Sequence, residues 1–419
     1  MPLPRMVRVR QRFAAPRLLD PEAETRRALA VLELQDRVRS GDSVAITVGS
    51  RGIANIAAIT RGIVDHCRSL GLVPFIVPAM GSHGGGTAAG QQAVIEGYGV
   101  TEAAMGCPIR SSMETVIVAE TPQGFPVHFD RHAFSADHLI VAGRIKPHTK
   151  FVGDIESGLH KMMLIGLGKH AGALVYHRAI EDYSFAEIIR AVADIVLARC
   201  KVLCGVAIVE NAVDETAVIE AVRPSEFAAR EIALLRQARD WLPRLPVADC
   251  DLLIVDRIGK DISGTGMDTN IIGRKYNDHV ATSEDAANCK RILVRGLTEK
   301  THGNATGIGI AEFTTRRVID AMDYEVTRIN CVTAGHPTGA MLPVWYDSDR
   351  EAITAALATL GLTPADQSRV VQIRDTLHLA EVLVSEACLP ELAGRDDINV
   401  SSAPQPMSFD AAGQLADVG

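Results

Sequence analysis

Short apolar runs alternate with helix-period segments along most of this 419-residue chain. In the first half, the runs that predict strands lie at residues 43–48, 73–77, 115–119, 138–142 and 205–209. Helical patterns separate them, and the longest begins at the capping box formed by Ser184 and Glu187. Strands that are apolar throughout and separated by helices are typical of a mostly parallel sheet covered on both faces.

The same alternation returns in the second half, with predicted strands at 251–255, 291–294 and 370–373. Predicted helices there lie at about 311–322, from Ser348, and from about Leu379. The sequence therefore predicts the α/β class, with two α/β domains built on mostly parallel sheets with helices on both faces.

A proline-containing segment marks the predicted domain boundary. Leu242-Pro-Arg-Leu-Pro-Val247 follows a charged helix, and the chain is too long for one ordinary core. We expect one domain at residues 1–247 and a second at 248–400. Residues 401–419, rich in Ser, Ala and Pro, are expected to form a loose C-terminal tail.

The composition argues against several classes of partner. The formal net charge is -8 without a long block of one sign, and aromatic residues make up 4% of the chain. Nucleic-acid binders usually carry a basic stripe or stacking aromatics, so we expect no nucleic-acid partner. Eight cysteines without a Cys-x-x-Cys pair make a disulfide scaffold or zinc knuckle improbable. Without a secretory core or an apolar run of ~18 residues, we expect no membrane association and a cytoplasmic location.

A histidine-rich segment follows the predicted strand at 138–142, at the carboxyl end where α/β sheets bind ligands. It begins with Pro-His148 and continues to Ser157-Gly158 and Lys161. A small residue pair at a helix start leaves backbone N–H groups that can hold a phosphate. The lysine could neutralise that phosphate or act as an amine nucleophile. The alternative is an ordinary solvated basic loop.

Three further loops are candidates for a site, and two of them lie at the ends of predicted strands. His83 precedes three glycines, which let the backbone approach a ligand, and its imidazole can take and return a proton near neutral pH. Arg51 follows the first strand of the first domain, where a guanidinium could bind a carboxylate through two hydrogen bonds. In the second domain, a glycine-containing loop ends at Arg274. The loops of Arg51 and Arg274 could equally be ordinary turn chemistry, and the alternative for His83 is an idle histidine on a flexible turn.

The order of these motifs resembles that of the lactate racemase family, which uses a nickel-pincer nucleotide. The shared order is a Gly-x-His loop, Pro-His, Ser-Gly-x-x-Lys, and a histidine sixteen residues after that lysine. The resemblance implies that Lys161 is joined through a thioamide to the cofactor, a lysine-linked nickel pyridinium-3,5-bisthiocarboxylic acid mononucleotide. It also implies that His177 is the protein ligand of nickel.

The resemblance implies further roles for the remaining motif residues. His83 and His148 would act as paired acid/bases, and Ser157 and Gly158 would touch the nucleotide phosphate. The domain at 1–247 would bind the cofactor and carry the catalytic histidines, and the domain at 248–400 would close over the substrate. Enzymes of cofactor biosynthesis are the expected partners.

The sequence departs from the family pattern at substrate-facing positions. Three extra residues lie between His148 and Ser157, and the aspartate that usually precedes the Arg51 position is missing. Asn270, Ile271 and Arg274 stand where the family has a Tyr-Gln pair and a lysine. With Arg51 and Arg274 as substrate-binding residues, we infer a substrate other than lactate, such as a larger or sugar-type acid.

The predicted activity is inversion of C2 of a small-molecule 2-hydroxy acid by proton-coupled hydride transfer. Racemisation needs a base on each face of the substrate, which accounts for two histidines. One alternative is a metal-dependent hydrolase whose ligands are drawn from His148, His160 and His177 with Asp154 or Glu156. Another is a non-catalytic protein that binds a nucleotide or a metal.

Overall fold

The computed structural model describes residues 2–418. Its strands, in chain order, are β1 (Arg5–Gln11), β2 (Ser43–Val48), β3 (Val73–Pro78), β4 (Thr115–Glu120), β5 (Pro126–Asp130), β6 (His138–Arg144), β7 (Val202–Glu210), β8 (Thr216–Val222), β9 (Asp249–Val255), β10 (Asn288–Val294), β11 (Phe313–Thr315), β12 (Val344–Tyr346), β13 (Val370–Ile373), β14 (Glu381–Ser385), β15 (Ile398–Val400) and β16 (Gln405–Pro406).

The α-helices are α1 (Pro21–Ala30), α2 (Ile56–Ser69), α3 (Ala88–Gly97), α4 (Glu102–Met105), α5 (Arg131–Ser135), α6 (Leu159–Lys161), α7 (Leu167–Ala179), α8 (Phe185–Arg199), α9 (Phe227–Asp240), α10 (Thr269–Ile272), α11 (Arg316–Ala321), α12 (Tyr324–Thr333), α13 (Asp349–Ala358) and α14 (Leu389–Leu392). Among the helices of residues 2–418, none combines the length and the apolar character that a membrane crossing requires.

The chain folds into two compact units. The first unit is Ala14–Leu242, and the second unit consists of the residues through Phe13 together with those from Pro243 onward. The proline-containing segment instead predicts a single division after residue 247, with the N-terminus in the first domain. The two divisions differ because β1 pairs with β14, β15 and β16, which makes the N-terminal strand part of the second unit's sheet.

The first unit is built on a five-stranded sheet in the order β3-β2-β6-β7-β8. The first four strands of this order are parallel, and β8 is antiparallel to β7. Both faces are buried: along β2, Ala45 packs into one core, whereas Val44 and Ile46 pack into another. This follows from the two-residue period of a strand, and it explains why the strands are apolar throughout. Residues of α8 and α9 pack on one face and residues of α2 on the other.

The second unit contains a nine-stranded mixed sheet in the order β12-β11-β10-β9-β13-β14-β1-β15, with β16 also paired to β1. The strands from β12 to β13 are parallel, and the pairings from β14 onward are antiparallel. The predicted α/β class is therefore confirmed, with an antiparallel part of the second sheet that the sequence analysis did not anticipate.

Three local predictions in the second unit differ from the structure. The helix expected from Leu379 is the strand β14, in which Val382 and Val384 alternate into the core in the two-residue period of a strand. The helix expected at 311–322 begins only at Arg316, after β11. The tail expected to be loose contributes β16, and Arg8 Nη1 donates to the backbone oxygen of Val418 at 2.7 Å.

Candidate active site

Three loops of the first unit follow neighbouring parallel strands and meet at one edge of the sheet. The loop after β2 carries Arg51, the loop after β3 carries His83, and the loop after β6 carries His148. Because β2 lies between β3 and β6 and all three run the same way, their carboxyl ends share the edge where α/β proteins bind ligands. Contacts link these loops: Ser50 Oγ lies 2.5 Å from His83 Nδ1, and Arg144 Nη2 donates to the backbone oxygen of Arg51 at 3.1 Å.

Lys161 and His177 lie against the same aromatic ring although sixteen residues separate them. An uninterrupted α-helix would place them about 24 Å apart along its axis. Instead, the chain passes through a π-helical turn at Met162–Gly166 and then bends at Lys169, whose φ of 55° and ψ of -162° are not helical. As a result, Lys161 Nζ lies 5.4 Å from the ring centroid of Phe151, and the His177 ring lies 6.5 Å from the same centroid.

The surroundings of Lys161 and His177 disfavour positive charge on both. Burial, and then the positive charges of Arg51 and Arg144, lower the pKa of Lys161 to about 7. Burial also lowers the pKa of His177, and the charges of Lys161 and Lys150 add to this effect. Near neutral pH, the lysine can therefore present an uncharged amine, the nucleophilic form, and the histidine an uncharged imidazole, the form that binds metals.

Phe151 is a site residue that the sequence analysis missed. Its ring stacks on His148 at 4.1 Å and 9° on one side and on Phe185 at 3.9 Å and 12° on the other. The ring therefore connects the predicted acid/base histidine with the Lys161 and His177 pair. The available signal was the longer segment between His148 and Ser157, because an insertion beside a candidate residue brings new side chains to it.

The backbone around His148 fixes the orientation of its ring. Nδ1 of His148 accepts hydrogen bonds from the backbone N–H groups of Lys150 at 3.1 Å and Phe151 at 3.0 Å. The backbone N–H of His148 donates to Oε2 of the buried Glu156 at 2.8 Å, and Arg239 Nη2 donates to the other oxygen of that carboxylate at 2.8 Å. Two backbone donors to Nδ1 and the stacked ring of Phe151 therefore hold the His148 ring in place.

The predicted phosphate-binding helix start is already occupied by a carboxylate. Glu231 of α9 accepts hydrogen bonds from the backbone N–H groups of Leu159 and His160 and from His160 Nδ1. Gly158 has a φ of 115°, and a Cβ at this position would collide with the Glu231 carboxylate, so only glycine fits. The sequence predicts free N–H groups at this helix start. In the structure they are paired, because Glu231 of the distant helix α9 supplies the acceptor.

Ser157 is also occupied by a local contact. Its hydroxyl oxygen accepts the backbone N–H of Lys146 at 2.9 Å, and its O–H donates to the backbone oxygen of the same residue. The hydroxyl therefore closes the loop that carries His148. A contact between Ser157 or Gly158 and a phosphate would require these bonds to rearrange.

The two arginines predicted to bind substrate have different environments. Arg51 is exposed at the carboxyl edge of the first sheet. Arg274 is buried within the second unit, where Nη2 donates to the backbone oxygen of Cys289 at 2.7 Å and to Glu312 Oε1 at 3.0 Å. Its Nε and Nη1 find no hydrogen-bond partner within residues 2–418. A buried donor without an acceptor costs about 1–3 kcal/mol, so these two atoms are suited to an added anionic ligand.

The residues proposed for a hydrolase metal site do not converge. His160 is buried against Glu231, and Asp154 pairs with Arg190 at the surface. Glu156 is engaged by Arg239 and by the backbone of His148. Within residues 2–418, no group of three or more His, Cys, Asp or Glu side chains is arranged to hold a metal ion.

A buried lysine beneath the His83 loop was not anticipated by the sequence analysis. Lys169 Nζ lies 3.1 Å from Asp130 Oδ2 and donates to the backbone oxygen of Pro78 at 2.5 Å and to Gln91 Oε1 at 3.2 Å. Gln91 in turn donates to the backbone oxygen of Gly81 at 2.7 Å. The residue that bends the chain between Lys161 and His177 thus also contacts the residues that precede and support the His83 loop.

Comparisons with known proteins support the resemblance drawn from the motifs. Residues 4–186 match the lactate racemase N-terminal domain. Among solved structures, the chain is similar to the lactate racemase apoprotein from Thermoanaerobacterium thermosaccharolyticum, with 14% identity, a TM-score of 0.54, and coverage of 88% of this chain and 94% of that chain. A structural-genomics protein from Thermotoga maritima shows 12% identity and a TM-score of 0.47 over 66% of this chain and 71% of that chain. No curated protein sequence matches the chain.

The similar solved structure and the domain match support different conclusions. At 14% identity, the similarity to the lactate racemase apoprotein shows a shared fold. The domain match covers the segment that contains Arg51, His83, His148, Lys161 and His177. The resemblance predicted from the motifs is confirmed: residues 4–186 match the lactate racemase N-terminal domain.

Proposed function

We propose that this protein is a racemase or epimerase that inverts C2 of a 2-hydroxy acid other than lactate. The match of residues 4–186 to the lactate racemase N-terminal domain supports isomerase chemistry in general. The observation that carries the proposal is the convergence of Lys161 and His177 on the Phe151 ring, beside the sheet edge that carries His83 and His148.

The lysine and the histidine fit a nickel-pincer nucleotide. An amine with a pKa of about 7 can form the thioamide expected at Lys161, and an uncharged imidazole suits nickel at His177. When bound, this group supplies an electrophilic ring that takes and returns the hydrogen at C2. The phosphate end fits less well at Ser157 and Gly158, because Glu231 and Lys146 occupy that segment. Arg144 near Lys161 and Lys150 near His177 provide positive charge that would suit the phosphate instead.

The other residues of the edge would act on the substrate. Arg51 is exposed there and would bind the substrate carboxylate through its planar guanidinium. His83 would hold the hydroxyl proton while the C2 hydrogen is away, because imidazole exchanges protons near neutral pH. Phe151 and Phe185 would exclude water on the side of His148. The longer segment that contains Phe151 supports a substrate different from lactate.

Arg274 is proposed as a second carboxylate-binding residue. The support is its two guanidinium nitrogens that have no partner within residues 2–418. Arg274→Lys would remove the planar pair of donors while keeping the charge, and we expect KM for the substrate to rise about tenfold, which corresponds to about 1.4 kcal/mol. A KM that stays unchanged would remove Arg274 from the proposed site.

The hydrolase alternative has no comparable support. Its predicted ligands are engaged elsewhere in the first unit, most clearly His160 with Glu231. The lactate racemase N-terminal domain match likewise does not favour it.

The test is the composition of the protein purified from cells that also make the nickel-pincer nucleotide. We expect about one nickel per chain and a mass increase confined to the peptide that contains Lys161. Lys161→Ala should lose the mass increase, most of the nickel and the activity, whereas the exposed control Lys300→Ala should retain all three. Wild-type protein that carries neither nickel nor adduct, together with full activity of Lys161→Ala, would contradict the proposal.

A further inference from the structure

We propose that Lys169 is a positioning residue, whose ammonium group holds the segment of Lys161 and His177 in one place against the loop of His83. The effect on catalysis rests on the proposed function. The connection between the two segments rests only on contacts within the first unit.

The chain after Lys161 packs directly on the residues that lead from β3 into the His83 loop. A Cβ at Gly81 would lie 2.9 Å from Ile165 Cγ2 and 3.3 Å from the backbone oxygen of Ile165. A Cβ at Gly166 would lie 3.0 Å from the backbone oxygen of Ala79. Because the two segments approach each other this closely, a shift of one along the other would move the side chains that each carries to the site.

The side chain of Lys169 contacts residues on both sides of that loop. Its Nζ donates to the backbone oxygen of Pro78, the last residue of β3, at 2.5 Å, and to Oε1 of Gln91 in α3 at 3.2 Å. The amide of Gln91 in turn donates to the backbone oxygens of Gly81 at 2.7 Å and of His83 at 3.4 Å. One ammonium group therefore contacts the residue before the loop and, through one amide, the loop itself.

The third contact of the ammonium group balances its charge. Asp130 Oδ2 lies 3.1 Å from Lys169 Nζ, and both side chains are fully buried. Burial lowers the pKa of Lys169, and the carboxylate of Asp130 opposes this effect. Three oxygens thus surround a group that carries three N–H donors. Asp130 stabilises the charge, whereas Pro78 and Gln91 determine where the group lies.

The backbone of Lys169 indicates that its surroundings hold it in place. Its φ of 55° and ψ of -162° lie in a region that glycine adopts readily and that strains any residue with a side chain. A lysine adopts such a conformation only where other contacts compensate for the strain, and the three contacts of the buried ammonium do so. The bend turns the chain between Lys161 and His177, and the ammonium group attaches the bend to the neighbouring loop.

Two substitutions separate the position of the ammonium group from its charge. Lys169→Met removes the ammonium and keeps a side chain of similar length, and Asp130→Asn in the same chain removes the buried carboxylate that would otherwise be left unpaired. An asparagine can still accept the backbone N–H of Ala133, which Asp130 Oδ1 accepts at 2.8 Å. Asp130→Asn alone leaves Pro78 and Gln91 as acceptors for the two N–H groups of a neutral amine.

The direct test is amide hydrogen exchange in the cofactor-free protein. We expect Lys169→Met/Asp130→Asn to exchange faster than the wild type at residues 79–87 and 162–173 and equally in β2, β6 and β7, because contacts are lost locally. Asp130→Asn alone should match the wild type. So should the control Lys201→Met, which removes a lysine that donates to the backbone oxygen of Ala136 at 3.0 Å. Unchanged exchange in the double variant, or faster exchange throughout the first unit, would overturn the proposal.

A second test measures turnover in the cofactor-loaded protein. A misplacement of about 1 Å can cost about 10²-fold, so we expect kcat per bound nickel to fall about 10²-fold in Lys169→Met/Asp130→Asn while KM changes little. Asp130→Asn alone should retain most of kcat. A double variant with the kcat of the wild type would overturn the positioning role. If the wild type inverts no 2-hydroxy acid, the proposed function fails, but the exchange measurement still decides whether Lys169 connects the two segments.

Discussion

Lys161 differs from an ordinary lysine because its surroundings disfavour its charge. Burial and the charges of Arg51 and Arg144 lower its pKa to about 7, compared with about 10.4 for a free side chain. Since the pKa is lowered, the neutral amine predominates above about pH 7 rather than only in strongly basic solution. We expect an amine-reactive reagent to label Lys161 with a midpoint near pH 7 in the cofactor-free protein.

The measurement is peptide mass spectrometry after short exposure to the reagent at a series of pH values. Lys300, which is exposed in the second unit, is the reference in the same digest. Labelling of Lys161 that rises in parallel with Lys300 would contradict the lowered pKa.

Glu231 is the residue whose loss should affect the position of Lys161 most. Glu231→Ala would leave the buried N–H groups of Leu159 and His160, and the ring of His160, without their acceptor. At about 1–3 kcal/mol for each unsatisfied donor, we expect the free energy of unfolding to fall by about 3 kcal/mol in a denaturant titration.

The matched control is Glu220 of β8. Glu220 pairs with Arg230 at the surface, where ion pairs contribute about 0–1 kcal/mol, so Glu220→Ala should have a small effect. Equal effects of the two substitutions would show that Glu231 does not fix the start of α6.

At the level of elements, the bend at Lys169 is what brings His177 back toward Lys161. A residue with a side chain is strained at φ 55° and ψ -162°, a region that glycine adopts readily. Both Lys169→Gly and Lys169→Ala lose the ion pair with Asp130, so the difference between them isolates the backbone. We expect the glycine variant to be more stable than the alanine variant by about 1 kcal/mol.

An ordinary helical position should give the opposite order. At the exposed Asp194 in α8, Ala should be more stable than Gly by about 1 kcal/mol. Thermal or denaturant unfolding of the four variants makes the comparison. The same order at both positions would contradict the bend at Lys169.

The elements of the first sheet could be predicted from the sequence better than the contacts among its loops. The apolar runs at 43–48, 73–77 and 138–142 predict β2, β3 and β6, and their parallel order places Arg51 and His83 at one edge. Glu231 could not be assigned to the helix start by sequence reasoning, because its partners lie about seventy residues away along the chain. Lys169 was missed because a positive φ at a lysine has no sequence signal.

At the level of the whole molecule, the N-terminal strand belongs with the C-terminal part of the chain. Val7 is fully buried in β1 and lies opposite Val384 of β14. We expect Val7→Asp to increase amide hydrogen exchange in β13, β14 and β15 while leaving β2, β3 and β6 unchanged, because a buried unpaired charge destabilises the sheet that contains it.

Arg10→Ala, which removes an exposed partner of Glu381, is the control and should change exchange little. Faster exchange in β2 and β3 would contradict the assignment of the N-terminal strand to the second unit. Two prolines after a charged helix predict a single division after residue 247, but a pattern along the chain does not show which sheet an N-terminal strand joins.

The central claim is that the site inverts a 2-hydroxy acid while the C2 hydrogen leaves with its electron pair. The measurement that tests it most directly is inversion of a panel of single-enantiomer 2-hydroxy acids by cofactor-loaded protein in deuterated water. Chiral chromatography gives the inversion and mass spectrometry gives the isotope at C2. We predict inversion of at least one acid larger than lactate, with protium retained at C2 and no inversion by Lys161→Ala. Absence of inversion across the panel, or a product that carries deuterium at C2, would contradict the account.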